Sequence, residues 1–169
     1  GSLIQVPEVL AKKLPGVKRL SEATSRDLFV SEALKRLRPL VQQAELLAAQ
    51  YDAVVANPPY MNARSYAKTL KEWLRREYSS YDKDLFSAFI VRMLMLTTAT
   101  GHSGIMTSFV WMFIASFEQL RRNIISLHNI GSLIQLHYDA FADAKAHVST
   151  FVLQKRKVAG YRASYIRLS

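Results

Sequence analysis

The sequence predicts an α/β fold for this chain of 169 residues. Apolar residues recur at helical spacing over residues 25–50, and a near-continuous apolar run follows at residues 53–56. Such a run is typical of a central parallel strand that is covered on both faces. Helical and strand patterns then alternate to the end of the chain, which is the order of elements found in α/β domains.

The first 50 residues are expected to form a helical lead-in. Residues 3–6 are a candidate short strand, closed by Pro7. The helix predicted over residues 25–50 has Ser25 as its N-cap, and Pro39 is expected to kink it or to divide it in two.

The pattern after residue 56 predicts further helices and strands. Residues 61–83 form a loop-and-helix insert, and Asp84 begins a helix that reaches about Thr98. Glycines at 101 and 104 are expected to end this helix before a strand at 105–109. The remaining predicted elements are a helix at 116–126 and strands at 130–136, 147–153 and 163–168. Two consecutive late strands indicate an antiparallel end to a mostly parallel sheet.

Charge and composition limit the possible partners and chemistry. The net charge is +10 and the isoelectric point is near 10.0, so the surface attracts polyanions such as nucleic acid, and also anionic membrane. No segment reaches the ~20 apolar residues of a membrane span, and we expect no membrane partner. Cysteine is absent, which excludes disulfides and thiolate chemistry and is compatible with the cytoplasm, where we expect the protein. The four histidines lack metal-ligand spacing, and we expect no metal.

The tetrapeptide Asn57-Pro58-Pro59-Tyr60 directly follows the apolar strand, at the end where α/β folds place ligands. An exocyclic aromatic amine is a poor nucleophile, because its lone pair is delocalised into the ring. Two acceptors bonded to the amino hydrogens return that lone pair to nitrogen. The side-chain oxygen of Asn57 and the rigid carbonyl of Pro58 are candidates for these acceptors, and the ring of Tyr60 for stacking on the base. The alternative is a plain turn with a surface tyrosine, since Asn-Pro commonly opens turns.

The tetrapeptide resembles the catalytic motif of amino-methyltransferases that use S-adenosylmethionine, above all the DNA adenine-N6 enzymes. The resemblance covers about residues 51–153. It implies a partial Rossmann-like class I methyltransferase fold, S-adenosylmethionine as methyl donor, and double-stranded DNA with a flipped adenine as substrate. The long insert after Tyr60 is similar to that of the large single-chain enzymes of type IIG restriction–modification and BREX-type phage-exclusion systems. Other subunits of such a defence system are therefore possible partners.

The resemblance also implies roles for residues further along the chain. Asp84 and Phe86, at the start of the helix predicted from residue 84, match the segment that lines the adenine side of the donor pocket. Phe141 matches a second aromatic against the flipped base. The alternatives are an N-cap for Asp84 and an ordinary core aromatic for Phe141.

Basic residues interleaved with aromatics in the insert are candidate contacts to DNA phosphates. A solvated helix face, with Glu72 and Glu77 as partners, explains them equally well. The candidates are Arg64, Lys68, Lys71, Arg75 and Arg76.

One departure from the family pattern concerns the donor-binding region. None of the six glycines forms a Gly-x-Gly cradle after a strand, and the acidic ribose-binding residue cannot be located in the sequence. We therefore expect a fragment that is inactive alone and binds S-adenosylmethionine weakly or not at all. Its expected parts are the lead-in at 1–50, the C-terminal half of a catalytic domain at 51–155, and the start of a connection to a DNA-recognition region at 156–169.

Two other classes of protein fit the tetrapeptide or the charge. Protein-glutamine methyltransferases use a similar tetrapeptide on an amide nitrogen, and rRNA guanine methyltransferases usually have phenylalanine at its fourth place. The basic insert is larger than those compact enzymes need. A non-enzymatic fragment that helps to dock nucleic acid is the third possibility.

Overall fold

The first 50 residues form a pair of helices. The computed structural model of the chain describes residues 2–141 and 147–168, and it divides into two compact units, Gly1–Gln50 and Tyr51–Ser169. In the first unit, α1 (Glu8–Glu22) packs against α2 (Leu28–Ala48). Arg38 of α2 donates from Nε to the carbonyl oxygen of Ser21 at 2.8 Å, and so ties the end of α1 to the middle of α2.

Two sequence predictions for this unit, a strand at residues 3–6 and the N-cap of α2, are wrong. Residues 3–6 form no strand. The N-cap of α2 is Asp27, whose Oδ1 accepts from the backbone N–H groups of the next turn, whereas Ser25 caps only the N–H of Asp27 itself. Pro39 lies inside α2 without dividing it. The pattern does not reveal α1, because Pro15 and the glycine after it lie in its middle and are typical helix breakers.

The second unit is built on a five-stranded mixed sheet, in agreement with the predicted α/β class. The elements are β1 (Tyr51–Ala56), α3 (Lys68–Glu77), α4 (Leu85–Leu96), β2 (Thr97–Ser108), the short 3-10 helices Phe109–Met112 and Ala115–Phe117, α5 (Glu118–Leu127), β3 (Asn129–Gln135), β4 (Val148–Gln154) and β5 (Ser164–Arg167). The strand order is β1-β2-β4-β3-β5, and every strand except β4 runs in the same direction. The two consecutive late strands β3 and β4 pair antiparallel, as predicted, and β4 lies inside the sheet, between β2 and β3.

One face of the sheet carries the apolar core. Alternate residues along β2 and β4 are buried, including Ile105 and Phe151, each 1% exposed. Helix α4 packs against β1 and β2, and α5 packs against β3. By contrast, Val55 of β1 is 82% exposed, and β1 has no strand on its second edge within the described residues. Over the same residues, no helix is both long enough and apolar enough to cross a membrane.

Two lysines after β4 donate hydrogen bonds to carbonyl groups at the C-terminal ends of two helices. Lys155 Nζ donates to the carbonyl oxygen of Thr97, just past α4, at 2.6 Å. Lys157 Nζ donates to Ile125 and His128 at the end of α5, at 2.7 and 3.1 Å. Cations at this position satisfy the last carbonyls of a helix and complement its dipole. Burial lowers the pKa of both Lys155 and His128, and the His128 ring bonds through Nδ1 to the carbonyl of Lys155 at 2.8 Å.

The strand β2 is longer than predicted, because it passes through both of its glycines. A register shift follows Tyr51, which pairs with Thr97, whereas Ala53 pairs with His102. Gly101 lies in the extra residues of this bulge. A Cβ there would lie 2.7 Å from Thr98 Oγ1 and 2.8 Å from the backbone oxygen of Asp52, so glycine permits a close backbone approach and does not end the strand.

We expect Gly101→Ala to lower the free energy of unfolding of the second unit by about 1–3 kcal/mol, because the new methyl group meets backbone that cannot move alone. Gly104→Ala is the matched control in the same strand, since its Cβ would meet nothing closer than 3.7 Å. Urea unfolding followed by tryptophan fluorescence measures both, because Trp73 and Trp111 lie in this unit. Equal stability of the two variants would contradict the role given to Gly101.

Candidate functional site

The tetrapeptide lies at the carboxyl edge of the sheet, which we define as the edge where β1, β2, β3 and β5 end and β4 begins. Strand β1 pairs in parallel with β2 as far as Ala56, and Asn57 follows directly. Pro58 is buried, while Asn57 and Tyr60 are exposed. The buried proline fixes the backbone, so that the two functional side chains project from a rigid base.

Asn57 and Tyr60 contact each other. The Tyr60 hydroxyl lies 3.3 Å from Asn57 Oδ1 and donates to it. This distance is long for a bond between two oxygens, so the bond is weak, and the amide oxygen has a second lone pair. Burial raises the pKa of the Tyr60 phenol, which therefore stays protonated near neutral pH. The Tyr60 ring is 44% exposed and remains open to a stacking partner.

The residues after Tyr60 are attached to the start of α4. The Leu85 N–H donates to the Met61 carbonyl at 2.9 Å, and the Ala63 N–H donates to the Lys83 carbonyl at 3.1 Å. These bonds flank an antiparallel bridge between Asn62 and Asp84. The tetrapeptide is therefore held at both ends, by β1 before it and by α4 after it.

Asp84 and Phe86 stabilise the first turn of α4 in this structure. Asp84 is the N-cap of α4, and its Oδ1 accepts from the Phe86 N–H at 3.4 Å. Burial raises the pKa of the Asp84 carboxyl, against the lowering effect of nearby backbone N–H groups. The Phe86 ring is 1% exposed and packs on Phe117, with centroids 5.1 Å apart. Both contacts position the helix that anchors the loop.

Phe141 lies at the same edge of the sheet as Tyr60. It follows a turn after β3 in which the Ala140 N–H donates to the His137 carbonyl at 3.1 Å. Its side chain is 38% exposed. The structure thus places Phe141 on the surface at the carboxyl edge and not in the core.

The basic residues of the insert fall into two groups. Arg75 and Arg76 have acidic partners, Asp82 at 3.8 Å and Glu77 at 2.7 Å. Lys68 and Lys71 are one turn apart on α3 and, like Arg64, form no ion pair among the residues that the structure describes. Their charges are available to an external anion.

An aromatic cluster at the carboxyl edge is not evident from the sequence. The ring of His147 lies 4.9 Å from that of Phe109 and 4.8 Å from that of Tyr138, and Phe109 packs edge-on against Phe113 at 5.7 Å. The signal in the sequence was three aromatics within five residues, at 109, 111 and 113, beginning at the last residue of the predicted strand. In the described part of the chain, no group of three histidine, aspartate or glutamate side chains is arranged to hold a metal ion.

A family model, Eco57I restriction-modification methylase, matches residues 14–141. Adenine-specific methyltransferase BrxX of Escherichia coli O9:H4 (strain HS) is 33% identical over 175 residues, which cover 99% of this chain and 14% of the relative. Adenine-specific methyltransferase PglX of Lacticaseibacillus casei (strain Zhang) is 33% identical over 134 residues, covering 78% of this chain and 11% of the relative. The chain therefore spans about a seventh or less of the length of these curated relatives.

The fold has a counterpart among solved structures. A protein from Listeria monocytogenes, assigned to the class I S-adenosylmethionine-dependent methyltransferases, superposes with a TM-score of 0.55. The match covers 83% of this chain and 47% of that protein, at 15% identity. The class I methyltransferase fold predicted from the sequence is thereby confirmed.

We expect Asp84→Ala to lower the free energy of unfolding of the second unit by about 1 kcal/mol, because α4 loses its N-cap. Asp84→Asn keeps a side-chain oxygen for the Phe86 N–H and removes a carboxylate that burial disfavours, so its stability should stay near that of the wild type. Urea unfolding compares the two. If Asp84→Asn and Asp84→Ala lower the free energy of unfolding equally, the charge of Asp84 and not its capping hydrogen bond would stabilise α4.

Proposed function

Since this chain belongs to the Eco57I restriction-modification methylase family, we propose that its second unit carries part of a site that transfers a methyl group from S-adenosylmethionine to N6 of adenine in DNA. The observation that supports this most directly is the pairing of Asn57 and Tyr60 at the carboxyl edge, beside the rigid Pro58. An amide oxygen, a fixed carbonyl and an open aromatic ring there suit a flat ring that bears an amino group.

In this proposal the side chains of the tetrapeptide have separate roles. Asn57 Oδ1 and the Pro58 carbonyl accept the two amino hydrogens of adenine, and so localise the nitrogen lone pair for attack on the methyl group. The Tyr60 ring stacks on the base, and Phe141 stacks on it from a second element at the same edge. Pro59 keeps the turn rigid between them. No strong base is needed beforehand, because positioning supplies most of the catalysis.

The methyl donor fits this chain only in part. S-adenosylmethionine supplies the electrophilic methyl group when it is bound. The Asp84 carboxylate is already bonded to the start of α4, and Phe86 is buried against Phe117, so neither offers a free group to a donor. We propose that these two residues support the donor side of the pocket by positioning α4, and that most contacts to the donor come from outside residues 2–168.

The setting proposed for the whole protein is bacterial restriction–modification or phage defence, in the cytoplasm, with DNA and other subunits of the system as partners. The names of both relatives and of the family support this assignment. The basic charges of the insert, Arg64, Lys68, Lys71, Arg75 and Arg76, are proposed to hold DNA phosphates, and the first three have no competing ion pair in the described residues.

We expect Asn57→Ala to lower methyl transfer by the full-length protein at least on the order of 100-fold, since the amine loses one of its two acceptors. Tyr60→Ala removes a stacking contact worth ~1–3 kcal/mol, whereas Tyr60→Phe keeps it and should stay close to the wild type. The measurement is incorporation of labelled methyl groups, with DNA, rRNA and a release factor as substrates and with identification of the product.

Label recovered as N6-methyladenine in DNA, and lost in Asn57→Ala, supports the proposal. Label on rRNA or on the release factor would show that the substrate is RNA or protein and not DNA. Absence of transfer to all three substrates would leave the tetrapeptide as a turn in a docking fragment.

We expect Lys68→Gln with Lys71→Gln to reduce the salt dependence of DNA binding by about two units of slope, if each lysine neutralises one phosphate. Arg75→Gln with Arg76→Gln removes the same charge from side chains that already have carboxylate partners, and its effect should be smaller. Binding of the full-length protein to duplex DNA, titrated at several salt concentrations, measures both slopes. Equal slopes for both double variants would assign the basic residues to a solvated face.

A further inference from the structure

We propose that the aromatic cluster at the carboxyl edge, formed by Phe109, Phe113, Tyr138 and His147, contacts DNA bases beside the nucleotide held at the tetrapeptide, with Phe113 inserted into the base stack. This inference rests on the proposed function and extends it. The cluster would replace the stacking partners that neighbouring bases lose when one base leaves the duplex. It gives the chain a second contact with DNA, separate from the contact with the reacting base.

Phe113 is held outward on a rigid turn. Arg121 of α5 donates from one nitrogen, Nη1, to the carbonyl oxygens of Trp111 and Ile114, each at 2.7 Å. These bonds fix both ends of the short segment that contains Phe113. The Trp111 ring is buried against Phe151, with centroids 5.0 Å apart, so the turn is also anchored from below. A ring on such a turn loses little conformational entropy on binding.

The exposure of these rings is large for apolar side chains. Phe113 is 68% exposed, its neighbour Ile114 is 47% exposed and Tyr138 is 43% exposed. They belong to one contiguous surface, because Phe113 contacts Phe109, Phe109 contacts His147, and His147 contacts Tyr138. A contiguous exposed apolar patch rimmed by polar residues indicates an interaction site.

Position and charge indicate DNA as the occupant. The cluster follows the ends of β2 and β3 and precedes β4, so it shares the carboxyl edge with the tetrapeptide. Strand β2 is the direct neighbour of β1, and neighbouring strands lie about 4.8 Å apart. Base steps are about 3.4 Å, which is on the scale of the spacing between neighbouring strands, so this surface is within reach of bases beside one held at Tyr60. The net charge of +10 favours a polyanion such as DNA as the partner of this surface.

The chemistry of the cluster suits base contacts. Apolar side chains that enter a base step unstack it and kink the duplex, and aromatic rings stack on any base face. Loss of stacking is the main cost of moving a base out of the duplex, so a ring that fills the space lowers that cost. Phe113 has the required shape and exposure. The rings of His147 and Tyr138 belong to the same surface, which is continuous with Phe113 through Phe109.

The experiment uses the full-length protein with Phe113→Ala, Phe113→Trp and the control Leu127→Ala. Leu127 is 56% exposed at the far end of α5, away from the carboxyl edge. We expect Phe113→Ala to lower kcat/KM for methylation of duplex DNA at least tenfold, with the KM for S-adenosylmethionine and the melting temperature unchanged. Phe113→Trp should restore most of the activity, and Leu127→Ala should match the wild type.

A second measurement is independent of methyl transfer. A benzophenone amino acid placed at position 113 should crosslink to duplex DNA on illumination, whereas the same group at position 127 should not. Absence of a crosslink at 113, or equal activity of Phe113→Ala and Leu127→Ala, overturns the inference. A crosslink at 113 in a protein that transfers no methyl group to DNA would overturn the proposed function and keep the contact.

Discussion

The arrangement of the site depends on the parallel pairing of β1 with β2. This pairing is the only sheet contact of β1 within the described residues, and it carries the tetrapeptide to the carboxyl edge. The same strand, β2, leads into the turn that presents Phe113, so one strand pair sets the positions of both aromatic groups. The close approach of Gly101 to Asp52 permits the register shift by which β2 leaves the end of α4 and joins β1. Helix α4 then fixes the loop after Tyr60 through its first residues.

Much of the fold is visible in the sequence, because it rests on local patterns. The strand β1 contains a short apolar run, β3 and β4 are short segments rich in β-branched and other apolar residues, and Asp84 is a recognisable start of α4. Other features require tertiary structure. Glycines 101 and 104 are typical of a break, yet β2 continues through them, and only the neighbouring backbone explains why position 101 needs glycine. The position of β4 between β2 and β3 depends on pairing between residues far apart in sequence, and no local pattern fixes it.

The sequence shows the candidate site only in part, because local motifs are visible in it and tertiary contacts are not. The tetrapeptide is a contiguous motif, whereas the pairing state of each basic residue depends on what folds beside it. Arg75 and Lys71 look alike in sequence, but only Arg75 has Asp82 as a partner. Lys155 and Lys157 have the appearance of a basic run on an exposed turn, and each caps a helix that precedes it by many residues. The aromatic cluster joins side chains from three separate segments, so its continuity appears only in the folded chain.

The open side of β1 has a consequence for the handling of this chain in solution. Val55 is largely exposed on a strand whose second edge pairs with no other strand among the described residues. Such an edge is a template on which another extended chain can add, so it favours aggregation from edge to edge. The net charge of +10 opposes this process, because like-charged copies repel each other. That repulsion is screened by salt, and solubility should therefore fall as ionic strength rises unless the edge is covered.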